Sequence, residues 1–203
     1  MRKLTGDTLL VATHNAGKLA EIADLLLPYG ITVVGAADRG LPEPEETETT
    51  FAGNARIKAH AAAQATGLPA LSDDSGIEID ALSGAPGVYT ADWAETPNVR
   101  DFAMAMTKAH DKLVATNTPQ PWTARFCCTL ALAWPDGHDE IFPGTVEGEI
   151  IWPMRGDNGH GYDPIFQPTG YDLSFAQMDP AEKNRISHRA DAFAKFVKGC
   201  LDR

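Results

Sequence analysis

Long hydrophobic runs are missing from this chain. None of its 203 residues lies in an uninterrupted apolar stretch of roughly eighteen, the length a membrane-spanning helix needs, so no membrane association is expected. Basic charge is also short: 17 Lys and Arg stand against 28 Asp and Glu, a net charge of −11. Polymers of nucleotides are bound by basic faces, so they are not expected partners. Cysteine is scarce, with three in the chain: Cys127, Cys128 and Cys200. Neighbours on a strand point to opposite faces, so the Cys127-Cys128 pair suits neither a disulfide nor a metal site. Buried thiols in a reducing compartment are the expectation. Repeats and low-complexity tracts are absent. The segment Met1 to Asp7 lacks the apolar core of a signal peptide, and the expected location is the cytoplasm.

What is present is a chain with 43% apolar residues, enough to build a proper core within one domain spanning 1–203. Leu9 to Ala12 reads as a strand, and Leu19, Ile22, Ala23 and Leu26 fall at helical spacing behind it. Ile31 to Val34 is a second strand, and Leu41 to Thr50 a loop rich in Pro and Glu. Phe51 to Ala65 is an alanine-rich helix capped by Thr49 or Thr50 and ended by Gly67. Ala70 to Asp73 is a short strand, Asp73-Asp74-Ser75-Gly76 a turn at its end, and Ile77 to Asp80 a further strand. Asn98 is a candidate cap for a helix with Val99, Phe102, Ala103, Met106 and Leu113 on its buried face. Thr123 to Ala133 alternates, and Pro135-Asp136-Gly137 turns it into a partner strand at Glu140 to Ile150. Asp179-Pro180-Ala181-Glu182 is a helix start. Ser187 can cap a last helix with Ala190, Phe193, Ala194, Val197 and Leu201 buried. Strands and helices alternate early and a hairpin comes late, which predicts an α/β fold with a mixed sheet and helices on its faces.

Five segments carry candidate chemistry. Thr13-His14-Asn15-Ala16-Gly17-Lys18 joins the first strand to the first helix. A helix start offers free N–H groups and a positive dipole end to an anion, phosphate above all, and Lys18 adds a mobile charge. The loop is not a Gly-x-x-x-x-Gly-Lys-Ser/Thr P-loop, and a plain strand–turn–helix reads equally from it. Asp73-Asp74-Ser75-Gly76 sets two carboxylates beside each other; they can hold Mg²⁺ and orient water, or simply cap their own turn. Glu45 and Glu46 are a second source of metal ligands in what is otherwise a solvated loop. Gly159-His160-Gly161-Tyr162-Asp163-Pro164 brackets an imidazole and a phenol with glycines, and either ring can stack on a base. Lys183, Ser187, His188 and Arg189 add donors near two helix starts.

The ordered set resembles the inosine/xanthosine triphosphate pyrophosphatase family. The matching stretches begin with Thr13 to Lys18, Glu45-Glu46-Thr47 with Thr50-Phe51 and Asn54-Ala55, and Asp73 to Gly76. They continue through Gly84 to Tyr89, Gly161 to Phe166, Glu182-Lys183 and Ser187-His188-Arg189, nearly the whole chain. The resemblance implies an elongated mixed sheet with two lobes around a central cleft, and a homodimer. It also implies Mg²⁺-dependent hydrolysis of non-canonical purine nucleoside triphosphates (ITP, dITP, XTP) to monophosphate and pyrophosphate. By matching position, Thr13, His14, Asn15, Ala16, Gly17 and Lys18 would grip the triphosphate. Glu45 and Asp74 would serve the metal, Asp74 also acting as catalytic base with Ser75 beside the substrate. His160, Gly161, Tyr162, Asp163, Lys183, His188 and Arg189 would hold the nucleoside. Three positions depart from the family: His160 stands where Phe is usual, Gly53 where Glu is usual, and Asp92 where Arg is usual. The competing readings are a pyrophosphatase for other modified or standard triphosphates, and a nucleotide sensor without catalysis.

Overall fold

The computed structural model describes residues 1–14 and 16–201. In chain order the elements begin with β1 (Thr8–Val11), α1 (Ala16–Leu26), β2 (Thr32–Gly35), α2 (Phe51–Thr66), β3 (Ala70–Ile79) and α3 (Phe102–Ala115). They continue with β4 (Trp122–Ala133), β5 (Asp139–Ile150), β6 (Phe166–Pro168), α4 (Pro180–Ile186) and α5 (His188–Phe196). One sheet of six strands runs in the order β2-β1-β3-β4-β5-β6. It is mixed as expected: β1 is parallel to β2 and β3, and β5 is antiparallel to β6. Parallel crossovers are right-handed. The chain moves one way from β1 to β2 and the other way from β2 to β3, so α1 and α2 cover opposite faces of the sheet.

The chain forms two compact units, and β3, β4 and β5 contribute residues to both. The first comprises Met1–Asp74, Thr129–Pro143 and Ala192–Arg203. Its core against α2 is built from Ala55, Ala59, Ala62 and Ala63 facing Leu10, Ala70, Ala131 and Ala133, small side chains that bring helix and sheet close together. Thr50 caps α2 by accepting from Gly53 N, and Gly67 ends it in the left-handed region at φ 70°. The second unit comprises Ser75–Cys128 and Gly144–Asp191. Its core is aromatic, with Phe126 against Phe166 at 4.7 Å and Phe166 against Phe175 at 5.1 Å between ring centroids.

Three sequence expectations change. Asp73 to Gly76 is not a turn at a strand end; it lies inside the continuous strand β3. Both carboxylates meet side chains of flanking helices, Asp73 with Lys18 and Asp74 with Asn54, in keeping with an uninterrupted strand. The helix expected from Asn98 starts at Phe102, capped by Asp101, which accepts from Met104 N at 2.9 Å. Thr96 and Val99 instead close a turn of their own, leaving Val99 exposed. Ser187 does cap α5, accepting from Ala190 N at 3.2 Å. The buried stripe of the helix is Ala192, Phe193 and Phe196, with Ala194 exposed, and a π-turn over Val197–Leu201 follows, in which Cys200 is buried. All three cysteines are buried thiols. Among the described residues no helix is long and apolar enough to cross a membrane.

Candidate active site

The site in the first unit follows from strand register. Val11, the last residue of β1, lies level with Leu71 of β3. Strand β3 runs on, so Asp73 and Asp74 extend past the end of β1, beside the loop that carries Thr13 and His14 into α1. Ligands gather at such carboxyl ends of parallel strands. Alternation then separates the two carboxylates. Ser72 and Asp74 share the α2 face, where Ser72 Oγ donates to Ala55 O at 2.5 Å and Asp74 Oδ2 accepts from Asn54 Nδ2 at 3.2 Å. Asp73 points to the α1 face and accepts from Lys18 Nζ at 2.7 Å on each oxygen. Both aspartates are buried, at 6% and 8% exposure.

Two residues join this cluster that sequence reasoning left without a role. Asn54, 2% exposed, also accepts from Glu48 N at 2.9 Å. Lys58 pairs with Glu46 at 2.5 Å. Burial pulls the Lys58 ammonium down, but the hydrogen bond to Glu46 and the charges of Asp73 and Asp74 outweigh it, and its pKa is raised above the ordinary 10.5. The signal was in the chain: Asn54 and Lys58 stand four apart, hence on one face of a helix whose other inward residues are alanines. His14 Nε2 donates to Leu41 O at 2.7 Å, tying the loop after β1 to the start of the Glu-rich loop. Beneath that contact lies a cavity of about 120 Å³, walled by Ala12, Leu41, Pro42, Lys58 and Ala62. Glu45 is exposed one residue before Glu46. Asn15 lies outside the described residues; Ala16 and Gly17 open α1.

The second unit holds the other predicted residues. Ser75 is half-buried on β3. Asp163, 3% exposed, accepts from the His160 backbone N–H at 2.8 Å and from Lys183 Nζ. Gly159 and Gly161 have φ of 76° and 67°, conformations that make the tight loop around His160 possible. A Cβ on Gly159 would lie 2.1 Å from Asp163 Oδ2. The two rings of this loop part company. His160 is exposed, whereas Tyr162 is fully buried, edge-on to Phe102 at 6.1 Å, with its hydroxyl donating to Thr90 O at 3.3 Å. Burial raises the Tyr162 pKa. Tyr162 therefore packs as a core side chain, and of the two rings only His160 is exposed. Lys183 rides on α4, whose first turn is capped by Asp179, and its ammonium lies 5.5 Å above the Phe175 ring. His188 opens α5 and stacks on Phe126 at 5.1 Å; Arg189 follows it, half-buried.

The departures from the family have unequal structural weight. A Cβ on Gly53 would meet Glu48 Cβ at 2.6 Å, so the Glu48 side chain lies over this position. Asp92 is the exposed first residue of a 3₁₀ turn that buries Ala94, and no contact among the described residues explains its charge.

Comparison with known proteins agrees along the whole length. A sequence profile described as the Ham1 family matches residues 9–199. The chain is 70% identical over 200 residues to a protein of Ruegeria pomeroyi named dITP/XTP pyrophosphatase, with 98% of each covered. It is 57% identical over 213 residues to a protein of the same name from Agrobacterium fabrum, with 100% of each covered. Among solved structures, a HAM1 protein from Coxiella burnetii superposes with a TM-score of 0.88 at 39% identity, covering 94% of this chain and 96% of that one.

Proposed function

This chain belongs to the Ham1 family, and on that premise we propose that it hydrolyses non-canonical purine nucleoside triphosphates (dITP, ITP and XTP) to the monophosphate and pyrophosphate. The observation that carries the proposal is the cluster in the first unit. Lys18, Lys58, Asp73, Asp74 and Glu46 converge beside a strand-to-helix loop, with Lys18 paired to Asp73, Lys58 paired to Glu46 and Asp74 hydrogen-bonded by Asn54. Such a cluster can receive a polyphosphate if Lys18 and Lys58 turn from carboxylate to phosphate oxygens, and a divalent cation would offset the carboxylate charge this leaves.

A divalent cation fits the donors present. They are all carboxylate oxygens, the ligand type of hard cations. Among the described residues no three His, Cys, Asp or Glu gather into a self-sufficient metal cage. That suits an ion held by one or two carboxylates together with substrate phosphates, as Mg²⁺ usually is. Asp74 and Glu45 would hold it, and when bound it supplies charge neutralisation for the pyrophosphate leaving group.

The chain's own residues do the rest. Thr13 to Lys18 seat the phosphates on the start of α1. Asp74, or Asp73 beside it, accepts the proton of the water that attacks the α-phosphorus. Lys183, steered by Asp163, and Arg189 offer donors to a 6-oxo purine, with His160 stacking on the ring and His188 beside them. Adenine carries a 6-amino donor instead and would leave those donors unpaired, a mismatch of about 10⁴-fold in discrimination. The family resemblance further implies a homodimer with Mg²⁺ as its metal, and the sequence pattern a cytoplasmic location.

The test is pyrophosphate release from ITP, dITP, XTP, ATP and GTP with and without Mg²⁺. Preference for the first three is expected, together with loss of turnover but not of nucleotide binding in Asp74→Asn. Equal rates on ATP and GTP would favour a pyrophosphatase of broader range. Binding without pyrophosphate release would favour a sensor.

A further inference from the structure

Asn54 has both ends of its amide engaged, and each end reaches a different part of the site. Its Oδ1 accepts from Glu48 N at 2.9 Å, and its Nδ2 donates to Asp74 Oδ2 at 3.2 Å. The orientation follows from the neighbours. A backbone N–H can only donate, so the amide oxygen must face Glu48, and the NH₂ is left for the carboxylate. The side chain is 2% exposed on a helix face otherwise made of alanine. Burying an amide there is unfavourable unless it is bonded. One side chain thus ties a helix, the backbone of the Glu-rich loop and a carboxylate of β3 into a single unit.

We infer that Asn54 is a positioning residue that holds the Asp74 carboxylate and the backbone of the Glu45-Glu46 loop at a set spacing. Lys58, one turn further along α2, reaches the same groups through charge, and an ammonium has no acceptor with which to tether a backbone N–H. Asn54 supplies the directional link. The inference rests on the reading of Asp74 as metal-holding, proton-accepting carboxylate. Partners that orient such ligands typically matter by about 10- to 100-fold in metal affinity or activity.

The experiment compares Asn54→Ala, Asn54→Leu and Asn54→Asp with Asp74→Asn and wild type. The readouts are kcat and KM for ITP, Mn²⁺ binding in the presence of a non-hydrolysable ITP analogue by electron paramagnetic resonance, amide hydrogen exchange at Glu48, and thermal melting. Asn54→Ala should lower kcat by about 10- to 100-fold with little change in KM, weaken Mn²⁺ binding by a similar factor, and speed exchange at Glu48. Asn54→Leu restores the volume without the bonds, so it should lose as much as Asn54→Ala; a packing role would be rescued. Asn54→Asp keeps an acceptor for Glu48 N–H and loses the donor to Asp74, so exchange should stay slow while kcat falls. Should Asn54→Leu not fold, the Ala and Asp variants decide. Wild-type kcat and Mn²⁺ affinity in Asn54→Ala, or a kcat loss matched by loss of folded protein, overturns the inference. If Asp74→Asn keeps both turnover and Mn²⁺ binding, the underlying reading fails instead. If Asp74→Asn is inactive while Asn54→Ala behaves as wild type, only the role of Asn54 is lost.

Discussion

Lys18 and Lys58 show how a single residue serves both folding and chemistry. Each is paired in the absence of substrate, Lys18 with Asp73 and Lys58 with Glu46. The Lys18–Asp73 pair is the more buried, at 26% and 6% side-chain exposure. Removing one partner of such a pair leaves a buried charge poorly compensated, at a typical cost of about 3–5 kcal/mol. Lys18→Met should therefore lower the melting temperature, and adding Asp73→Asn should recover much of the loss, while pyrophosphate release stays impaired in both. Stability losses that simply add would show that the pair is not coupled. Lys18 was legible from the sequence because its loop announces itself. Lys58 and Asn54 were not given roles, because an amide and an ammonium on an alanine-rich helix acquire meaning only from what faces them. Tyr162 shows the reverse: its glycine-bracketed loop suggested a ligand-facing ring, and packing against Phe102 decided otherwise.

At the scale of the element, one of the expected caps does not stand: Asp101, accepting from Met104 N, takes the place of Asn98 because the Thr96–Val99 turn delays the helix. Thr50 and Ser187 cap the helices they precede. The reading failed again in β3, which runs straight through Asp73-Asp74 with partners from α1 and α2 on either face. A second long-range contact makes its own prediction. Asp139, at the start of β5, accepts from Arg56 Nε at 3.1 Å and pairs with His60 Nε2 at 2.9 Å, joining α2 to the β4–β5 hairpin. Partial burial would push the Asp139 carboxyl up, but the bonds from His60 and Arg56 prevail and hold it below the ordinary 3.8. A carboxylate depressed in the folded state adds stability above its unfolded pKa, and that stability is lost as pH falls through the folded value. Asp139→Asn should therefore melt earlier than wild type at neutral pH, with the difference fading as pH falls below the ordinary carboxylate value of 3.8. A gap that persists unchanged in acid would point to lost packing rather than lost charge.

Over the whole molecule, each unit has its own core: alanine-rich where α2 packs in the first, aromatic in the second. Each carboxylate of the acidic cluster has a partner within the chain: Asp73 has Lys18, Glu46 has Lys58 and Asp74 has the Asn54 amide. Metal should therefore matter to chemistry and not to folding. Chelation by EDTA should abolish pyrophosphate release, restored by Mg²⁺, and leave the melting temperature and circular dichroism unchanged. A large fall in melting temperature would make the ion part of the fold. The chain by itself determined the α/β class, the order of elements and the segments that carry chemistry, because periodicity, caps and loop composition act over a few residues. The three-dimensional structure alone decided that Asp73 and Asp74 face opposite helices, that Asn54 and Lys58 stand among the acidic groups, and that Tyr162 belongs to a core. Those outcomes depend on strand register and crossover hand, which bring together residues that local sequence keeps dozens of positions apart.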